Sequence, residues 1–203
     1  MPRALTEQEK CRQCQKLLDK GRAVLMSQGL KRISVDDIVN AAGMAKGTFY
    51  QHFDSKEKYL FVLIEDIHKQ VFAKSEQMIL SIFKSKSDAD NLKANAREFF
   101  KKLFYMPEMA FFIQNEREID ELFFGLMGED EVTTFKQIEV ALFKKLLRLV
   151  GVDTVSIKPG VVHNYIHSLY LTMSSDLMTA ADLPETVDLL TDGLIAYIFG
   201  GAI

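Results

Sequence analysis

SVDDIVNAAGMAKGTFYQHFDSK, residues Ser34 to Lys56, reads as two short helices joined by a tight turn, with the start of a third behind them. Ser34 is placed to cap the first helix, and Asp37 three residues on completes a capping box. Val35, Ile38, Val39 and Ala42 fall at i, i+3, i+4 and i+7, which makes one apolar face over about two turns. Gly43 follows at once, where a left-handed backbone ends a helix at little cost. The second helix is expected from about Ala45 to Phe53, with Ala45, Phe49 and Phe53 turned inward. Lys46, Gly47, Thr48, Tyr50 and Gln51 then face outward. The spacing predicts a helix-turn-helix whose second helix presents polar and cationic groups.

Those groups suit a nucleic-acid duplex. Lys46, Thr48 and Tyr50 can donate to phosphate oxygens, which fixes register without reading sequence. Gln51 can pair bidentately with an adenine edge in the major groove. Gly47 weakens a helix by about 1 kcal/mol relative to Ala; on an exposed face this makes sense if another surface must approach the backbone closely. The competing reading is a plain helical hairpin with a solvated polar face.

Ala42-Gly43-Met44-Ala45-Lys46-Gly47-Thr48-Phe49-Tyr50-Gln51-His52-Phe53, followed by Ser55-Lys56-Glu57-Lys58-Tyr59-Leu60, resembles the signature of the tetracycline-repressor-like (TetR) family of transcriptional regulators. That signature runs Ala-Gly, two variable residues, Lys-Gly-Thr, an apolar residue, Tyr, a variable residue, His-Phe and then Ser-Lys-Glu. The resemblance spans roughly residues 6 to 60, under a third of the chain. One departure is Ala45, where many members place a capping Ser or Thr; a lost cap is worth about 1 kcal/mol. The resemblance implies an all-α homodimeric regulator, most simply a repressor of a palindromic operator. It implies a DNA-binding domain over residues 1–56 and a helical effector-binding and dimerisation domain over 57–203. The DNA-binding set it implies is Ser34, Lys46, Gly47, Thr48, Tyr50, Gln51, His52 and Lys56. No cofactor, metal or catalytic residue is implied.

Charge distribution fits this division. The 203 residues carry a net charge of −3, yet residues 1–58 hold 11 Lys and Arg against 7 Asp and Glu, a net +4, and the rest is −7. Basic charge thus gathers where the helix-turn-helix lies, and the acidic remainder should temper nonspecific binding. With 48% hydrophobic and 26% charged residues the composition is that of an ordinary soluble globular protein. No run approaches about 18 apolar residues, and MPRALTEQEK has no apolar signal region, so a cytoplasmic protein is expected.

Along the chain, Thr6 and Glu9 form another capping box, opening a helix to about Gln28 that stops at Gly29. Cys11, Cys14, Leu18 and Leu25 share one face of it. A zinc site would need further ligands and a redox motif would normally sit beside a βαβ unit, so the two cysteines read as small buried hydrophobes. Lys31 and Arg32 lie in the following loop, within reach of phosphates. Asp54 and Glu57 suggest a cap over a long helix from Ser55 to about Phe83. Lys56 in its first turn opposes the helix dipole, which a bound phosphate would explain. After a polar break at residues 84–90, only helices are expected: about 88–106, 107–115, 116–125, 129–150, 159–180 and 184–199. The last two are apolar, and they resemble the family's dimerisation pair.

The middle of the chain is crowded with Phe and Met. A Phe/Met-lined cavity would suit a small apolar or amphipathic effector, and the candidate lining is Phe100, Phe104, Phe112, Phe124, Tyr165 and His167. Plain core packing accounts for such a stripe equally simply. His163 and His167, at i and i+4, could share a metal, but HNYIH lacks the Glu of a metalloprotease motif. Two other classes remain open at this point: a helical metal-dependent enzyme using His163 and His167, and a helical protein-interaction module.

Overall fold

The computed structural model describes residues 6–83, 91–127, 140–141, 144–149, 151–152, 155–173, 179 and 181–200. Among these, the regular elements are helices: α1 (Glu7–Gln28), α2 (Val35–Ala42), α3 (Lys46–His52), α4 (Lys56–Ile82), α5 (Leu92–Phe104), α6 (Pro107–Gln114), α7 (Glu116–Leu126), α8 (Pro159–Met173) and α9 (Leu183–Phe199). The all-α expectation holds. Of the helix expected over 129–150, residues 144–149 are helical and 129–139 lie outside the described residues, as does the polar break at 84–90. Among the described residues no helix is long and apolar enough to cross a membrane.

Local chemistry sets the ends of the first helices. Thr6 Oγ1 accepts the Glu9 N–H at 3.2 Å while the Glu9 carboxylate accepts the Thr6 N–H at 2.8 Å, so two of the orphan donors at the start of α1 are satisfied. Ser34 and Asp37 repeat the exchange at the start of α2, at 3.2 and 3.0 Å. Gly43 ends α2 at φ 61°, ψ 43°, its N–H turned back to the carbonyls of Val39 and Asn40. Any L side chain would be strained in that left-handed conformation. Ala45 stands at the N-cap of α3 with no side-chain cap bond. It is exposed rather than buried, because an N-cap lies outside the helical register that carries Phe49 and Phe53 inward. The cap of α4 also differs from the expected pair: Ser55 Oγ accepts the Lys58 N–H at 3.1 Å, and Asp54 instead takes the Lys58 ammonium at 2.6 Å.

Two compact units emerge. The first comprises the described residues of Met1–Gln70 and Gln114–Val132. Its core draws Leu17 and Leu25 from α1, Ile38 from α2, Phe49 from α3, and Tyr59, Leu63 and Ile64 from α4, all fully buried. All four predicted positions of α2, Val35, Ile38, Val39 and Ala42, are buried. Phe61 of α4 meets Phe123 of α7 with ring centroids 4.8 Å apart, and Lys31 pairs with Glu118 at 2.6 Å. The apolar stripe of α1 starts at Leu17, not at Cys11: Cys11 is exposed and Cys14 only half-buried. A stripe belongs to a helix, but burial needs a neighbour, and the covered part of α1 begins a turn later.

The second unit comprises the described residues of Val71–Ile113 and Thr133–Ile203. Phe99, Phe100 and Phe104 of α5 join Val162, Leu169 and Tyr170 of α8 and Leu194 and Ile198 of α9 in one apolar cluster. The Tyr170 hydroxyl, buried there, donates to the Phe104 carbonyl at 2.7 Å. On the surface Arg97 of α5 grips Asp192 of α9 with two nitrogens.

Candidate nucleic-acid interface

The second helix of the helix-turn-helix owes its position to three aromatic rings. Phe49 is fully buried, 5.2 Å from the Tyr59 ring and 5.5 Å from that of Phe53. Tyr59 meets Phe53 edge-on at 4.9 Å, an arrangement aromatic quadrupoles favour. The Tyr59 hydroxyl is anchored in turn, donating to the Leu17 carbonyl of α1 at 2.8 Å. Burial pushes this phenol far above its ordinary pKa, so it stays a donor. α1 admits the ring because residue 21 is glycine: a Cβ there would lie 2.9 Å from Tyr59 Cζ and closer still to the hydroxyl oxygen.

With Phe49 turned inward, the opposite face of α3 is left to solvent. Lys46, Gly47, Tyr50 and Gln51 are exposed, and Thr48 and His52 are partly so. Tyr50 keeps 50% of its surface open although its ring leans edge-on against Phe49. Nothing lies within 4 Å of where a Gly47 Cβ would be. The space above that backbone is therefore open to an approaching surface.

Four residues of the expected set already have protein partners. Lys46 Nζ reaches Asp36 of α2 at 3.0 Å, and this bond holds its ammonium above the usual pKa. His52 Nε2 lies 3.1 Å from Gln13 Oε1 of α1. Lys56 Nζ donates to the Ile33 carbonyl at 3.2 Å. A cation in the first turn of α4 thus has a backbone acceptor across the turn without any phosphate. Ser34 spends its side chain on the α2 cap. The sequence reading missed Gln13, Asp36, Gly21 and Tyr59. Only Gly21 left a local signal, as a glycine interior to a 22-residue helix.

The six effector candidates separate. Phe100 and Phe104 are packed in the second unit's core, Phe112 is buried on α6, and Tyr165 and His167 are partly buried on α8. Phe124 belongs to α7 of the first unit and is 52% exposed, because Ile119 and Phe123 take the buried face of that helix. A cleft of about 420 Å³ between α5 and α9 is lined by charge, including Arg97, Lys101, Glu185 and Asp188, and Phe104 alone of the six reaches it. His163 and His167 stack with ring centroids 6.3 Å apart. Among the described residues no third His, Cys, Asp or Glu joins them to hold a metal.

A buried-base helix-turn-helix with a cationic, hydroxyl- and amide-bearing outer helix defines a DNA-binding protein. The comparisons agree. The sequence profile described as bacterial regulatory proteins, tetR family, matches residues 17–61. The HTH-type transcriptional repressor KstR2 of Rhodococcus jostii (strain RHA1) is 27% identical over 148 residues, 65% of this chain and 72% of its own. The HTH-type transcriptional repressor DhaR of Mycobacterium sp. (strain GP1) is 44% identical over 45 residues, only 22% of this chain and 23% of its own. Over nearly the whole length the fold matches a TetR-family transcriptional regulator from Pectobacterium atrosepticum, with a TM-score of 0.56, 97% of each chain covered and 18% identity. Residues 17–61 thus carry a tetR-family DNA-binding helix-turn-helix, and the chain over nearly its whole length has the fold of TetR-family transcriptional regulators.

Proposed function

We propose that the protein is a ligand-responsive repressor that binds a palindromic operator as a homodimer through α3. The observation that carries this reading is the outer face of α3: Lys46, Tyr50 and Gln51 exposed on a helix whose inner face is locked by Phe49. Thr48, Tyr50 and Lys46 hold phosphates, joined by His52, Lys56 and the Ser34 end of α2. Gly47 and Gln51 approach base edges. The naming of KstR2 and DhaR as repressors favours repression over activation.

Residues 1–56 act as the DNA-binding part and 57–203 as the effector-binding and dimerising part. Dimerisation is supported by the exposed apolar residues of the last two helices, Val161 and Leu171 on α8 and Leu189 and Tyr197 on α9. Joined to a second copy, these faces bury apolar surface, and a two-fold dimer reads two half-sites about 34 Å apart or a multiple of that. The effector is a small apolar or amphipathic molecule. The α5–α9 cleft, lined by Lys101, Glu185 and Asp188 together with Phe104 and Val187, is the candidate place for it.

α4 is the coupling element. It is one continuous helix of 27 residues, about 40 Å long at 1.5 Å per residue. Tyr59 at its start supports Phe49 and Phe53, and Ile79 near its end belongs to the second unit's core. An effector that prefers one tilt of α4 shifts the population toward dimers whose recognition helices no longer match both half-sites. Selection of binding sites from a random duplex library with purified protein tests the reading. A palindromic consensus with steeply salt-dependent affinity is expected; a single asymmetric site bound by a monomer would overturn it.

A further inference from the structure

We propose that Cys11 and Cys14 form a thiol–disulfide site whose closure breaks the Gln13–His52 contact between α1 and the recognition helix. The inference rests on the reading of α3 as the DNA-contacting helix. Both thiols are free, one turn apart on α1, with Cys11 exposed and Cys14 half-buried. Gln13 lies between them in sequence, and it is the residue whose Oε1 meets His52 Nε2 at 3.1 Å, at the end of α3.

Geometry couples the two. Residues three apart on an α-helix have Cβ atoms about 5–6 Å apart, whereas a disulfide needs about 3.5–4.5 Å. The bond therefore closes only if the turn tightens. A 3₁₀ turn brings i and i+3 into line, and residues 11–14 form the second turn of α1, ahead of its packed part at Leu17. Winding at 3.0 rather than 3.6 residues per turn advances each residue by about 120° instead of 100°. Measured from the packed part of α1, which begins at Leu17, the one tightened step from Cys14 back to Gln13 turns the Gln13 side chain by roughly 20° and shifts it along the axis by about 0.5 Å. A 3.1 Å hydrogen bond does not survive such a rotation.

The chemistry needs an oxidant, and a low-molecular-weight disulfide RSSR serves. The Cys11 thiolate attacks one sulfur of RSSR; the S–S bond breaks, RS⁻ leaves, and a Cys11–S–SR mixed disulfide forms. Cys14 Sγ, on losing its proton, attacks Cys11 Sγ, closing the protein disulfide and expelling the second RS⁻. The two protons given up by the cysteines end on two RSH, so two thiols are oxidised and one RSSR is reduced. Burial, then the neighbouring charge of Cys11, raise the Cys14 thiol above its ordinary pKa. Cys11 thus reacts first, and masking its charge removes one of the two influences that keep Cys14 protonated.

The test uses the full chain treated with oxidised glutathione. Expected are loss of both alkylatable thiols with no retained glutathione, a shifted His52 imidazole NMR signal with the His163 and His167 signals unmoved, and at least tenfold weaker operator binding. Dithiothreitol should reverse all three. The His52 signal is assigned by its absence in His52→Gln. Cys14→Ser should stop at a glutathione adduct, Cys11→Ser/Cys14→Ser should be blind to the oxidant, and reduced Gln13→Ala should show the oxidised His52 signal. Glutathione retained on the wild type, or a disulfide that leaves the His52 signal in place, overturns the proposal. If the reduced protein selects no DNA the operator reading fails, while the thiol and His52 readouts still decide this one.

Discussion

Replacing Gly21 by Ala probes how the recognition helix is held. In an exposed helix this substitution stabilises by about 1 kcal/mol. Here the new methyl would fall 2.9 Å from Tyr59 Cζ and nearer the hydroxyl, against a ring with no exposed surface. Overpacking of a filled core costs about 1–3 kcal/mol, and displacing the ring also gives up the Tyr59–Leu17 hydrogen bond, worth about 1 kcal/mol net. After the propensity gain, Gly21→Ala should be less stable than the wild type by roughly 1–3 kcal/mol. Tyr59→Phe alone should lose about 1 kcal/mol. The double variant should fall short of the sum by about 1 kcal/mol or more, since removing the hydroxyl removes the atom closest to the methyl. Urea unfolding of the four proteins gives the cycle. A Gly21→Ala protein more stable than the wild type, or strict additivity, would refute the packing of α4 on α1 and with it the account of how Phe49 is held.

Other perturbations follow from the same geometry. Ser34→Ala removes the α2 cap and should cost about 1 kcal/mol in urea unfolding. The Ser34 hydrogen bonds also depress the Asp37 pKa. That contribution is present above the ordinary carboxylate range and lost as pH falls through the lowered pKa, so the gap between wild type and Ser34→Ala should narrow below about pH 4. His68 of α4, its pKa pushed down to about 4 by burial, is neutral in the fold while an unfolded His charges near pH 6.5. Its contribution is complete above about 6.5 and lost as pH falls toward 4. His68→Gln should flatten that decline, by at most about 3 kcal/mol; an unchanged slope would count against a partly buried neutral imidazole. Asp36→Asn frees Lys46 from its 3.0 Å partner. Fluorescence anisotropy should then show tighter DNA binding and a salt slope steeper by about one.

What the sequence disclosed and what it hid divide along physical lines. The ends of α1 and α2, the Gly43 turn and the buried face Val35-Ile38-Val39-Ala42 were legible because caps and periodicity act within four residues. The partners of the functional face were not. Gln13–His52 joins residues 39 apart and Lys56–Ile33 residues 23 apart, and no local pattern announces either. Cys11 was misplaced as buried for the same reason, since apolar spacing gives a helix its face but not the neighbour that covers it, and Ala45 because α3 begins only after it. Phe124 shows the limit in the other direction. Adjacent to Phe123, it is rotated by about 100° on α7, so one phenylalanine is buried and the next is open.

The claim at the centre of the account is that the outer face of α3 reads DNA, with Gln51 touching a base. The most direct measurement is site selection from one random duplex library with wild type and Gln51→Ala in parallel. The account predicts the same palindrome and half-site spacing for both, with discrimination relaxed at one symmetry-related position per half-site. An unchanged consensus at every position, or an equal loss of affinity for selected and scrambled duplexes, would contradict it.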